Sequence, residues 1–339
     1  MWITIGLKIL IGFFPVLLFL LALVFMDSYK LVRMKALLPA IAGGAAAAGL
    51  SLLLNSGLIG FFQGDFAFYS RYVAPLVEES LKAAVLVYFF RTNRVGFLVD
   101  AAILGFAAGA GFSIVENMHF LKAAVGADIV VWAVRGLGTA MMHGGTTAVF
   151  AFLTKALSDR RTKNHPWPAA VPGLALAFTV HSAFNHFLLP PVAAAAVMMA
   201  VLPLVAVNVF IAGERSTRKW LEIGFDTDVE LLGLINAGRF STSKIGRYVL
   251  SLKDRFSGEV MADLFCLIRI HLELSIGAKG ILLMREAGLP VVQNPGFREK
   301  FRELEYLQKS VGPTGMMAVS PILHRSRRDL WGLHMLGGQ

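Results

Sequence analysis

The feature that most constrains this chain is a set of ionisable side chains inside otherwise apolar stretches. Glu78 and Glu79 share one such stretch, and Glu116, His143 and His181 each lie in a separate one. A charged group at the centre of a bilayer costs roughly 2.5–3.5 kcal/mol, so residues of this kind usually face a polar interior and mark a working site. The sequence therefore predicts that these side chains meet around one buried site.

The composition of the chain indicates a membrane protein. The 339 residues are 56% hydrophobic and only 16% charged, whereas soluble domains are about a quarter charged. Residues 1–213 carry 8 acidic and 14 basic side chains, and residues 214–339 carry 14 and 18. We therefore expect a transmembrane bundle over 1–213 and a mainly helical, soluble C-terminal domain over 214–339.

The apolar runs predict an all-α fold, a polytopic bundle of about seven transmembrane helices. Each run has about the 20 residues that a helix needs to cross the hydrocarbon core. The predicted spans are 3–26, 36–56, 70–90, 97–121, 129–155, 168–189 and 191–212. Within the tail, residues 258–285 are interrupted by charges, which favours a packed soluble helix or helix pair over an eighth span. Phe297, Phe301, Leu304 and Leu307 recur at helical spacing.

Basic residues in the loops predict the orientation. They follow the first, third, fifth and seventh spans: Lys30, Arg33 and Lys35; Arg91 and Arg94; Arg160, Arg161 and Lys163; Arg215, Arg218 and Lys219. Because basic loops stay in the cytoplasm, the N-terminus is expected outside and the tail inside. The same rule explains the formal charge of +10 without a nucleic-acid partner. The single cysteine, Cys266, fits a reducing compartment for the tail.

The third span offers two carboxylates with different expected roles. Glu78 and Lys82 are four residues apart, so they are expected to pair on one helix face. Glu79 points about 100° away from Glu78 and is left freer to act as a general base. The opposite assignment, with Glu78 as the base, stays open.

The later spans supply the other candidate groups. Glu116 has a possible structural partner in Arg135, and His143 lies near the middle of its span. His181 and Asn185 are four residues apart and share a helix face. Two histidines at similar depth, with glutamates on two other helices, favour a functional site over separate packing roles.

Two chemistries fit these residues. In one, Glu116, His143 and His181 hold zinc, with water in the fourth position and Glu79 as base, which is the usual arrangement of a catalytic zinc. In the other, a glutamate activates water without a metal, while a histidine and Asn185 donate hydrogen bonds to the developing oxyanion. Both describe hydrolysis of an amide bond inside the bilayer.

These residues resemble the PrsW family of intramembrane proteases, within the larger group of CAAX-processing and bacteriocin-immunity proteases. The resemblance covers roughly residues 70–190 and not the tail. It is carried by EExxK at Glu78, Glu79 and Lys82, by FxxxEN from Phe112 to Asn117, by the isolated His143, and by HxxxN at His181 and Asn185.

The resemblance implies an all-helical bundle of a bacterial cytoplasmic membrane whose motif residues meet in one cavity. It also implies a peptidase, of a kind usually classed as metalloprotease but with a mechanism argued both ways, that cuts a single-span membrane protein such as an anti-sigma-factor-like regulator. Glu116, where CAAX enzymes have histidine, argues against prenyl-tail processing. A transporter, or a non-enzymatic scaffold that binds a partner helix, is the alternative class. A transporter is disfavoured because no internal repeat is evident.

Overall fold

The computed structural model describes residues 2–62, 65–124, 126–159, 167–291, 296–323 and 327–337, and within these ranges every regular element is helical. Two compact units divide the chain, Met1–Glu214 and Arg215–Gln339. The basic residues Arg160, Arg161 and Lys163, used above to predict orientation, lie outside the described ranges.

Seven long helices begin in the part of the first unit that the structure describes. They are α1 (Trp2–Met26), α2 (Met34–Leu58), α3 (Ala74–Arg91), α4 (Leu98–Ala123), α5 (Ala140–Asp159), α6 (Trp167–Asn185) and α7 (Pro191–Asn236). By length and composition, four stretches within the described ranges are apolar enough to cross a membrane: Ile5–Met26, Met34–Phe61, Leu98–Ala123 and Pro191–Asn236. The remaining three helices carry most of the ionisable groups identified above, which lowers their apolar character.

Two π-helical segments lead into helices that carry those groups. Tyr69–Val73 runs directly into α3, and Val134–Thr139 runs directly into α5. Asp128 caps the short helix Ile129–Ala133 before the second segment by accepting a hydrogen bond from the Val130 amide. Because π-helical turns are rare and recur at functional sites, their position here points to the same region as the buried charges.

Helix α4 is the centre of the first unit and is buried along most of its length. It packs against α1, α2 and α5, and glycines allow the backbones to approach. A Cβ on Gly44 of α2 would lie 1.8 Å from the Ala108 carbonyl oxygen, and one on Gly109 would lie 2.3 Å from the His143 carbonyl oxygen. Small residues at helix contacts are typical of membrane bundles, where close van der Waals packing drives association.

The second unit is helical too, and contains the C-terminal part of α7. Its further helices are α8 (Lys244–Leu250), α9 (Gly258–Glu286), α10 (Gly296–Val319) and α11 (Arg327–Gly337), with a 3₁₀ turn at Phe240–Thr242. The segment 258–285 forms one helix, which is the first of the two predicted alternatives, a single helix or a helix pair. Gly312, at φ 69°, kinks α10 just before Pro313, because a left-handed backbone conformation is accessible to glycine at little cost.

A buried ion pair organises this second unit. Lys279 Nζ lies 2.6 Å from Asp228 Oδ2, and the Ser275 hydroxyl donates to the same oxygen at 2.6 Å. The Trp220 ring lies 5.1 Å from the ammonium group. The hydrogen bonds and the aromatic face offset part of the cost of burying two charges.

The close approach of α2 and α4 makes a testable prediction. Gly44→Ala should lower the melting temperature of the purified protein, because its Cβ would overlap a backbone oxygen and overpacking costs roughly 1–3 kcal/mol. Gly49→Ala on the same helix meets nothing within 4 Å and is the matched control. Equal melting temperatures for the two variants would show that α2 and α4 do not pack in this way.

Candidate active site

Four helices bring the predicted ionisable side chains together. Helix α3 supplies Glu78 and Glu79, α4 supplies Glu116, α5 supplies His143 and α6 supplies His181. The two imidazole rings meet edge to face with their centroids 4.9 Å apart. Both histidines are almost fully buried, at 1% and 3% exposure, so the groups share one enclosed region.

Glu79 is the most constrained member of the cluster. Its Oε1 accepts a hydrogen bond from Lys82 Nζ at 2.6 Å, lies 2.8 Å from His181 Nδ1, and accepts a longer one from the Thr146 hydroxyl at 3.4 Å. The expected pair between Glu78 and Lys82 is therefore wrong. Glu79 and Lys82 are both buried and paired with each other, whereas Glu78 is 15% exposed and its Oε2 lies 3.8 Å from His181 Nε2.

Lys82 also contacts His143, and this contact fixes how the imidazole is presented. Lys82 Nζ lies 3.0 Å from His143 Nδ1 and 4.8 Å from the centroid of the Phe112 ring. A lysine ammonium group can only donate, so Nδ1 accepts, and a neutral His143 then carries its proton on Nε2. That nitrogen lies 3.0 Å from Glu116 Oε2, which makes Glu116 the acceptor.

Glu116 is held on its other side by Arg135, as the sequence suggested. Arg135 Nη2 lies 3.2 Å from Glu116 Oε1, and Arg135 Nε donates to Asn117 Oδ1 at 2.8 Å. The Asn117 amide in turn donates to the Gly12 carbonyl of α1 at 2.8 Å, and the guanidinium lies 4.2 Å from the Phe120 ring centroid. The ion pair and the cluster are thus compatible, because Glu116 uses a different oxygen for each.

Glu78 is oriented by residues that the sequence analysis did not identify. The Asn55 amide on α2 reaches Glu78 Oε1 at 3.5 Å, and the Tyr69 hydroxyl donates to Asn55 Oδ1 at 2.7 Å. An asparagine in the apolar run of α2 was a signal available in the sequence. Tyr69 gives no such signal, because it lies among other aromatic residues before α3, a pattern typical of a membrane interface.

One group of side chains offers the donor atoms of a metal site. Glu78, His143 and His181 each present one ligand atom, and these three atoms lie within 4.8 Å of one another. Two imidazole nitrogens and one carboxylate oxygen are the ligand set of many catalytic zinc sites, where each atom lies about 2.0–2.2 Å from the ion. The donor chemistry fits zinc. The carboxylate in this group is Glu78, and the assignment of Glu116 as a ligand stays a prediction.

The hydrogen bonds that the two histidines already make affect how each could bind zinc. Glu79 Oε1 accepts a hydrogen bond from His181 Nδ1. A carboxylate in this position commonly orients a metal-binding imidazole. His181 Nε2, the other nitrogen, lies 3.8 Å from Glu78 Oε2. His181 is therefore presented as a ligand, whereas His143 Nε2 faces Glu116 with its proton.

Asn185, predicted to donate to an oxyanion, lies one turn beyond His181 on α6. Its amide donates to the Ser70 carbonyl oxygen in the first π-helical segment at 2.9 Å. In the next position, His186 Nε2 lies 3.0 Å from the Tyr72 hydroxyl. These contacts join α6 to the segment that precedes α3, and the oxyanion role of Asn185 stays a prediction.

A small cavity adjoins the cluster on the side of Glu78 and Glu116. Its volume is about 140 Å³. Its lining consists of Ala48, Ser51, Leu52, Glu78, Phe112, Glu116, His119, Phe120 and Arg135. Two carboxylates of the cluster therefore face a space large enough for several waters or for part of a substrate.

Comparison with known proteins agrees with this site. Residues 33–212, more than half of the chain, match the family described as PrsW family intramembrane metalloprotease. That range contains all of the clustered side chains and excludes α1 and the whole second unit. Searches of curated proteins and of solved structures gave no match.

Proposed function

This chain belongs to the PrsW family of intramembrane metalloproteases, and from that premise we propose that it hydrolyses a peptide bond of a single-span membrane protein inside the bilayer. The observation that carries the proposal is the convergence of Glu78, Glu79, Glu116, His143 and His181 beside a small cavity. Membership of the family makes an anti-sigma-factor-like regulator a candidate substrate.

The three carboxylates have different roles: Glu78 and Glu116 can act on water, and Glu79 orients its neighbours. Glu78 and Glu116 line the cavity, so either can accept a proton from a water molecule held there. Glu79 lies behind them, bound by Lys82 and His181, and acts as an orienting group. This exchanges the roles first predicted for the two adjacent glutamates, since the more exposed one is the better placed base or ligand.

Zinc is the metal that the donor set favours, and Glu78, His143 and His181 would hold it once a ring nitrogen of His143 exchanged its contact with Lys82 or Glu116 for the ion. A zinc ion bound there would supply a water molecule with a pKa near 7. Glu79 holds His181 by its Nδ1, which leaves Nε2 available. Glu116 remains outside this ligand set, where it faces both His143 and the cavity.

A metal-independent glutamate mechanism is the second candidate, and the Lys82–His143 contact favours it. With Nδ1 accepting from Lys82, His143 presents its Nε2–H to Glu116, which lines the cavity. Such a donor stabilises the oxyanion that forms when water attacks a carbonyl. In this mechanism Glu78 or Glu116 removes the proton from water, and both histidines stay metal-free.

The orientation proposed for the protein follows from its basic loops. Lysine and arginine follow the first, third and seventh apolar stretches, for example at Lys30, Arg91 and Arg215. The positive-inside rule then supports a multi-pass protein with its N-terminus outside and residues 214–339 in the cytoplasm. Membership of the family supports a bacterial cytoplasmic membrane as its location.

Metal content separates the two mechanisms. We expect the purified protein to contain about one equivalent of zinc, because three ligands converge, and the variant His143→Ala/His181→Ala to contain none. His186→Ala removes a histidine that bonds Tyr72 instead and should keep the metal. Elemental mass spectrometry measures the result. Protein that cleaves without zinc would contradict the metal mechanism and select the glutamate one.

Loss of cleavage tests the function itself. Cells expressing Glu78→Gln or His181→Ala should accumulate an uncut single-span protein, since removing a general base or ligand lowers the rate by at least roughly 100-fold. Glu222→Gln makes the same chemical change at an exposed tail position and should leave cleavage unchanged. Mass spectrometry of new peptide termini is the readout. Identical termini in all strains would refute the peptidase assignment.

A further inference from the structure

The cavity beside Glu78 and Glu116 is bordered by apolar side chains as well as by polar ones. Its apolar lining is Ala48 and Leu52 from α2 and Phe112 and Phe120 from α4, and its polar lining adds Ser51, His119 and Arg135 to the two carboxylates. Ala48 and Phe112 are almost fully buried and belong to one packed cluster with Leu81, Val85 and Val115. The cavity therefore combines a firmly packed apolar surface with a polar one.

A peptide attacked at this site must place its scissile carbonyl near the groups that activate water. Glu78 and Glu116 are such groups and lie on the cavity wall. A side chain next to the scissile bond is only one Cα away from that carbonyl, so the adjoining space is where it can enter. The polar wall then faces the reacting amide, and the apolar wall faces the side chain.

We propose that this cavity is the subsite that receives a side chain flanking the scissile bond, and that it selects an uncharged apolar residue no larger than phenylalanine. The inference rests on the proposed peptidase function and adds a substrate class to it. Specificity of this kind arises when a pocket accepts one side chain size and excludes others.

The volume sets the upper limit. An engineered apolar cavity of about 150 Å³ in another protein holds a benzene molecule, and this cavity measures about 140 Å³. The side chains of valine, leucine and phenylalanine therefore fit. The indole of tryptophan is larger than benzene and does not fit without displacing a wall.

The charges exclude acidic side chains. Glu78 and Glu116 both border the space together with His119 and Arg135, and the guanidinium of Arg135 is already paired with Glu116 and lies 4.2 Å from the Phe120 ring centroid. An aspartate or glutamate side chain would enter beside two carboxylates in a region of low dielectric, where like charges repel strongly. Apolar side chains gain from burial against Leu52 and Phe112 instead.

Leu52 is the residue through which this selection can be changed. It lines the cavity from α2 and is only partly buried, so the fold tolerates substitution there better than at Ala48. Leu53, the next residue, is 71% exposed and does not line the cavity. Equivalent substitutions at the two positions therefore form matched pairs.

The experiment uses the full-length protein in liposomes with a library of single-span peptides that are randomised at the positions flanking the cut. Mass spectrometry of the products gives the residue preference on each side. The unaltered protein should accept valine, leucine and phenylalanine on one side and reject tryptophan, aspartate and glutamate there by roughly tenfold or more.

Substitutions at Leu52 should shift that preference in opposite directions. Leu52→Ala should admit tryptophan, and Leu52→Phe should restrict the position to alanine and valine, each by roughly tenfold relative to the unaltered protein. Leu53→Ala and Leu53→Phe should leave the preference unchanged. This pattern would support the subsite.

Two other results would overturn it, and they are distinguishable. Cleavage whose residue preference is the same in the Leu52 and Leu53 variants would refute the subsite and leave the peptidase function intact. Absence of new termini with the unaltered protein, while the library is shown to be inserted, would refute the proposed function and the subsite with it.

Discussion

Neutralisation of buried charge is the constraint on which the first unit of this protein depends. Lys82 pairs with Glu79, and Arg135 pairs with Glu116. Each ion pair also contacts a histidine, His143 or His181, so charges that are costly in hydrocarbon stabilise one another. The network needs helices in close contact, and Gly109 allows this because a Cβ there would overlap the His143 carbonyl oxygen.

Much of the site could be predicted from the sequence. A polar residue in an apolar run has few acceptable surroundings, so the positions of Glu116, His143 and His181 alone indicated a shared interior. The pairing of Glu116 with Arg135 was foreseeable for the same reason and is present. Membership of the PrsW family agrees with the motifs from which the resemblance was drawn.

The partner of Lys82 could not be predicted. Glu78 and Glu79 lie at four and three residues from it, and both spacings permit a pair on a helix. The choice depends on how α3 is rotated about its axis, which its packing against α2 and α6 determines. The contact of Asn55 with Glu78 likewise joins two helices, and no local pattern specifies which residues of two helices will meet.

The convergence of separate helices is tested most directly by replacing the two histidines with thiols. In a Cys266→Ser background, the variant His143→Cys/His181→Cys should bind one Cd²⁺ through both thiolates, at least roughly tenfold more tightly than either single variant, because the two rings now lie 4.9 Å apart. Ultraviolet thiolate-to-cadmium absorption measures this. If the double variant bound Cd²⁺ no more tightly than the single variants, the two thiolates would be acting independently. That result would show that α5 and α6 do not form a common site.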